Sequence, residues 1–229
     1  MGDSQTRLLG FGIAVALFAF FLLLVVRQSD KRTQAMEQLA QGMGLQFKVA
    51  EPYLVDEMQR SGPDLFRRGR YRVVRNLLHG AYRDARMLLF DYRYTTGVGK
   101  CRPRHWQTVL LFSWEQIKLP EFKMRPRGFT DVLVGLVVER GINFKDYPAF
   151  FRNYCLVGWS EAAVIRVFGD IVAEFCQERP RLVLESSGNW LLVRRPHRWI
   201  KVGDMQEFVE EAQHVCDLLC AKSFEKLDS

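Results

Sequence analysis

The residues able to do chemistry are few and dispersed. Gly97-Val98-Gly99-Lys100 has the composition of a phosphate-cradling loop, in which backbone N–H groups at a helix N-terminus hold an anion. The full pattern needs glycine at 94 and a hydroxyl residue at 101, where Tyr94 and Cys101 stand instead. The flanking segments also read as strands, so the glycines fit a hairpin loop better. Asp91 and His105 lie on neighbouring extended segments and offer an acid/base pair, with Cys101 as a nucleophile. Such catalysis requires the groups within hydrogen-bond reach and a third group to orient them. His79, His197 and His214 are too scattered to supply it. Asp91 shares a strand face with Arg93, and a solvated or salt-bridged face is the simpler reading. Cys216 and Cys220 fall at i and i+4 with His214 nearby. No CxxC or HxxxH pattern accompanies them, so no metal site is expected and the five cysteines read as small apolar thiols. No cofactor is implied, and the residues favour a non-catalytic role over an enzyme.

The basic residues are the stronger functional signal. Arg67, Arg68 and Arg70 open a block that continues through Arg72 and Arg75. Lys100, Arg102 and Arg104 line the long loop that follows, and Arg194 and Arg195 precede Arg198 and Lys201. Tyr71, Trp106, Trp190 and Trp199 are interleaved with them. This mixture suits acidic lipid headgroups or single-stranded nucleic acid, although arginines alternating along a strand also mark a plain solvent face. With 33 Lys+Arg against 26 Asp+Glu the net charge is +7, a moderate excess. No nucleic-acid recognition motif is present, which disfavours that partner. The expected function is a tethered interaction domain with an unidentified protein partner. Anion binding is the alternative, and an enzyme near Asp91 and His105 the third reading.

Hydropathy patterning supplies the elements that must position these residues. Period-two alternation predicts strands over 71–81, 86–94 and 105–114, arranged as an antiparallel meander. Residues 45–49 read as extended, 52–60 as helical and 119–126 as extended or irregular; 131–140 tilts toward a short helix. A strand at 154–158 precedes a helix capped by Ser160, with Val164, Ile165, Phe168, Ile171, Val172 and Phe175 as its apolar face. A hairpin over 181–194 turns at Ser187-Gly188-Asn189, and a final helix opens near Asp204. Strands in runs with segregated helices define an α+β class.

Residues 8–26 form a run of nineteen residues without a charge, long enough to cross most of a bilayer of about 30 Å. No cleavage site follows it, so an uncleaved N-terminal transmembrane helix is expected. Arg27, Lys31 and Arg32 behind it, against Arg7 in front, place a short external N-terminus at 1–7 and a cytoplasmic body beyond. The odd number of cysteines agrees with a reducing compartment. Gly12, Ala16 and Ala19 share one helical face and would allow a homo-oligomer. Residues 27–44 then read as a helical stalk striped by Met36, Leu39, Ala40 and Met43, ahead of a soluble domain at 45–229 with sub-units 45–126 and 127–229.

Several spaced motifs occur in order: Leu65-Phe66-x2-Gly69, Asn76-x3-Gly80, Phe90-Asp91-Tyr92-x-Tyr94-x2-Gly97-x-Gly99 and Gln107-Thr108-Val109. Leu119-Pro120-x-Phe122-x3-Pro126, Tyr154-x3-Gly158 and Arg166-Val167-Phe168 continue the series. Together they resemble a family of uncharacterised bacterial single-pass membrane-anchored proteins. That resemblance implies an inner-membrane location and an α+β soluble domain, and it carries no functional residue.

Overall fold

Aromatic and β-branched residues at alternate positions give long strands, and the apolar stripes of the helices cover them. A computed structural model describes residues 30–99, 102–127, 142, 147–179, 181–196 and 198–224. The helical residues 30–42 (α1) lead into β1 (Gln46–Ala50), α2 (Pro52–Ser61) and a 3-10 turn at Asp64–Arg67. The meander follows as β2 (Arg70–Tyr82), β3 (Ala85–Thr95) and β4 (Arg104–Ser113). Then come β5 (Phe122–Pro126), α3 (Pro148–Asn153), β6 (Tyr154–Gly158), α4 (Glu161–Glu178), β7 (Val183–Ser187), β8 (Trp190–Arg194) and α5 (Met205–Phe224).

The eight strands among the described residues join one antiparallel sheet in the order β1-β2-β3-β4-β8-β7-β5-β6. On one face, Leu78, Leu89, Leu110, Phe112, Leu184 and Val193 pack against Met36 and Ala40 of α1 and the apolar sides of α4 and α5. The other face carries a thinner layer. There Leu54, Val55 and Met58 of α2 and Leu65 and Phe66 of the 3-10 turn cover Leu88, Phe90, Tyr92, Val109 and Leu111. Gly69 joins that turn to β2 at φ +63°, with its α-carbon against the Thr95 carbonyl, and a side chain there would meet the strand.

The expected fold is corrected as far as the described residues go, which hold no transmembrane helix. Among the described residues no helix is long and apolar enough to cross a membrane. Residues 8–26 and the external N-terminus at 1–7 lie outside the described residues, as does the helix expected at 131–140. The described part of the first helix carries Lys31, Arg32 and Glu37, and it spends its apolar stripe on the sheet. The described chain is thus an antiparallel sheet with helices on both faces, and the features membrane, transmembrane and single-pass find no support in it.

Two other expectations shift for local reasons. In β2 the pairing slips by one residue between Arg70 and Val73 and again between Arg75 and Leu78. Tyr71 and Asn76 sit in these bulges at φ +52° each. Strict alternation therefore fails along β2. Val73 faces the α1 side with Arg93, whereas Leu77 joins Val74 on the opposite face. In α4, Gly169 (φ 50°, ψ −177°) breaks the helix and rotates its second half. Ile171 is consequently exposed while Ala173 and Cys176 are buried with Val172 and Phe175; ahead of the break, Ile165 is exposed and Val167 is buried with Val164 and Phe168.

Candidate interaction surface

The surface of interest is built on a buried polar network. Asp91 of β3 lies directly opposite Thr108 of β4 and Arg75 of β2. The bulge at Asn76 swings that side chain toward Asp91, whose Oδ2 accepts from Asn76 Nδ2 at 2.9 Å. Arg32 reaches in from α1 and donates bidentately, Nε to Oδ2 and Nη2 to Oδ1, both at 2.7 Å. Its Nη1 donates to the Ile200 carbonyl at 2.9 Å, and Thr108 Oγ1 donates to Asp91 Oδ1 at 3.2 Å. Thr33 Oγ1 donates to Asn76 Oδ1, closing the set from the helix side. The Asp91 carboxyl is 5% exposed and accepts four hydrogen bonds; a planar guanidinium fork is the side chain suited to such a pairing.

Above this network lies an aromatic and cationic layer. The chain returns beside β4 at residues 198–200, where Thr108 N–H donates to the Arg198 carbonyl and Ile200 N–H donates to Thr108 Oγ1. Trp199 is thereby placed edge-to-face on Trp106, with ring centroids 4.9 Å apart at 84°. The Arg93 guanidinium stands 5.3 Å from the Trp106 ring, and that of Arg32 stands 5.0 Å from Trp199. One step along the strands, Arg70 and Arg104 flank Thr95 in register. Arg75 and Arg198 are exposed nearby, and Tyr71 projects from the first bulge at 69% exposure. Among the described residues none of Arg70, Arg75, Arg93, Arg104 or Arg198 pairs with a carboxylate.

The residues singled out from sequence separate into distinct places. Arg70 and Arg104 belong to this platform, while Arg102 is exposed on the adjoining loop and donates to the Gly99 carbonyl. Arg67 is exposed and pairs with Asp64 at 2.9 Å. Arg68 is half-buried beside it, its carbonyl accepting from Arg72. Arg194 is 2% exposed, inside the sheet, and donates to Gln107 Oε1; Arg195 pairs with Glu211 of α5. Lys100 lies outside the described residues. Arg93, Trp106 and Trp199 hold the centre. Arg93 was hidden from the sequence because its neighbours come from another strand and a loop about 100 residues away.

The acid/base pairing does not form. Asp91 faces the α1 side, whereas His105 lies opposite Tyr94 on the other face of the sheet. Its ring stacks on Tyr94 at 4.7 Å, and its Nε2 is 2.7 Å from Thr96 Oγ1. Among the described residues no group of three or more His, Cys, Asp or Glu side chains could hold a metal ion. Cys155, Cys176, Cys216 and Cys220 are free thiols, and burial pushes the Cys176 thiol well above its ordinary pKa. Cys216 is likewise raised by its hydrogen bond with Cys220 and by burial. Cys220 is only half-buried and its hydrogen bond with Cys216 lowers its pKa, so a Cys101→Ser chain should react quickly with a disulfide reagent at no more than that one thiol when native, and at four in denaturant. Rapid native reaction of two or more would contradict this burial.

Fold and surface together define a class: an α+β domain on an eight-stranded antiparallel sheet, with an exposed arginine–tryptophan platform and no acid/base pair at Asp91 and His105. No protein-family model matches the chain, and no curated protein matches it. Among solved structures, the mycobacterial trehalose monomycolate transport factor A, TtfA, matches with a TM-score of 0.59 and 15% sequence identity. The match covers 82% of this chain and 93% of that one. At that identity the likeness is one of fold.

Proposed function

We propose that this chain is a non-catalytic interaction domain that docks a protein partner, with an acidic surface of that partner meeting the platform around Trp106 and Trp199. The observation that carries the reading is the group of five arginines, without carboxylate partners among the described residues, around an exposed tryptophan pair. Tryptophan, tyrosine and arginine are the residue types that dominate binding energy at protein interfaces. Unpaired charges of one sign steer an oppositely charged partner and fix its register. The structural neighbour is named a transport factor, which is compatible with a transport-associated interaction role here.

Photo-crosslinking in the native cell tests this. A crosslinking amino acid at position 71 should capture one discrete partner, whereas one at Tyr53 or Trp159, both highly exposed elsewhere, should not. Arg93→Glu with Arg104→Glu should cut the yield at 71 by about 30-fold or more, the effect of losing a hot spot of about 2 kcal/mol. Equal capture at all three positions, or a yield indifferent to charge reversal, would remove the proposal.

A further inference from the structure

We propose that Arg32 is a positioning residue for the platform, so that the docking surface exists in its binding form only while α1 is seated on the sheet. The inference rests on the platform being the docking surface, and it adds how that surface is controlled. One guanidinium touches three separate parts of the chain. It pairs with Asp91 of β3, lies 3.3 Å from Thr108 Oγ1 of β4, donates to the Ile200 carbonyl and stands against the Trp199 ring.

The segment that carries Trp199 is irregular and, among its described residues, is anchored in the core by Ile200 alone, while Trp199 itself lies at the surface. Among the described backbone bonds, its own ties to β4 pass through Thr108, and Thr108 is itself bonded to Asp91 and Arg32. Seating of α1 is secured independently by Thr33 on Asn76 and by Met36 and Ala40, both fully buried in the core. Withdrawing α1 takes Arg32 away and has two effects at once. Trp199 loses the cation beneath its ring and the donor to Ile200. Asp91 loses its guanidinium and is left beside Arg75, directly opposite on β2, and Arg93, two residues along β3 on the same face. A carboxylate released there neutralises an arginine of the platform. The surface thus loses both its geometry and part of its charge when the helix leaves. Linkage makes the coupling reciprocal: a partner that binds the assembled platform holds α1 down by the same factor.

Fluorine NMR of the full chain labelled with 5-fluorotryptophan tests this without any partner. The five tryptophan signals are assigned by single Trp→Phe replacements. In Arg32→Met the signals of Trp199 and Trp106 should shift and broaden, while those of Trp114, Trp190 and Trp159 stay in place. Arg32→Lys should restore them only in part, since it keeps the charge without the fork. Should Arg32→Met fail to fold, Arg32→Met with Asp91→Leu removes both charges together, a replacement that buried pairs often tolerate. In that chain the Trp199 signal must still move. Trp199 and Trp106 signals unchanged in a folded Arg32 variant overturn the inference and leave the docking reading intact. Crosslinking at 71 in Arg32→Met should fall by about 5- to 150-fold, the usual range of coupling between sites. If position 71 captures no partner in the wild-type chain, the docking reading fails, and the fluorine signals still decide the role of Arg32.

Discussion

Asp91→Ala lowers the stability of the domain by about 3–5 kcal/mol, because it leaves the Arg32 guanidinium buried without its counter-charge. Arg32 is 14% exposed and Asp91 5%, so water cannot replace what is removed. Asn76 Nδ2 and Thr108 Oγ1 lose an acceptor in the same change. For a domain of this size the midpoint of thermal unfolding should fall by roughly 6–20 °C, at about 2–4 °C per kcal/mol. Urea unfolding provides the direct measurement. A loss below about 1 kcal/mol would mean that the network contributes little, and the seating of α1 would then have to be ascribed to Met36 and Ala40 alone.

Phe66→Ala should be comparably severe, at about 3–5 kcal/mol. Phe66 is fully buried and its ring meets Tyr92 at 4.9 Å and Phe90 at 6.1 Å, so it pins the 3-10 turn to the thinner face of the sheet. That layer has few residues to close over the cavity. Burial on this face also pushes the Tyr92 phenol far above its ordinary pKa. The variant should show early proteolytic cleavage between α2 and β2, with the α4 and α5 face still protected in hydrogen exchange. Uniform loss of protection over both faces would show instead that the two layers unfold as one.

The meander could be read from residues alone because β2, β3 and β4 are long, at 13, 11 and 10 residues, and aromatic and β-branched residues recur along them. Leu88, Phe90, Tyr92 and Tyr94 do share one face, and all are buried. The final helix turns Phe208, Val209, Ala212, Val215, Cys216 and Leu219 inward, as its spacing requires. Legibility ended wherever backbone geometry or a distant partner intervened. Gly169 changes the phase of α4, and a glycine in a helical pattern does not announce its φ. Arg194 has the composition of a surface residue, but β8 is flanked by β4 and β7 and buries it. Asp91 was open to the salt-bridged reading, yet its cation sits 59 residues away on α1, beyond the reach of any local pattern. Asn76, Asp91 and Thr108 fall inside the spaced motifs, which assign them no role.

The paired bulges of β2 bear on how this strand can change length. A strand is read in steps of two, and each bulge acts as a frameshift of one residue. Arg70 and Leu78 are even-numbered, Val73 and Arg75 odd, yet all four face the α1 side, because the second shift, in the same sense as the first, restores the original parity. Only the short stretch from Val73 to Arg75 is read in the altered frame. Loss of one residue within either bulge closes the ladder and leaves every other pairing where it is. Loss of a residue between them would turn one whole flank inside out. Length variation in this strand therefore has two permitted addresses. One displays Tyr71 beside the platform, and the other delivers Asn76 to Asp91.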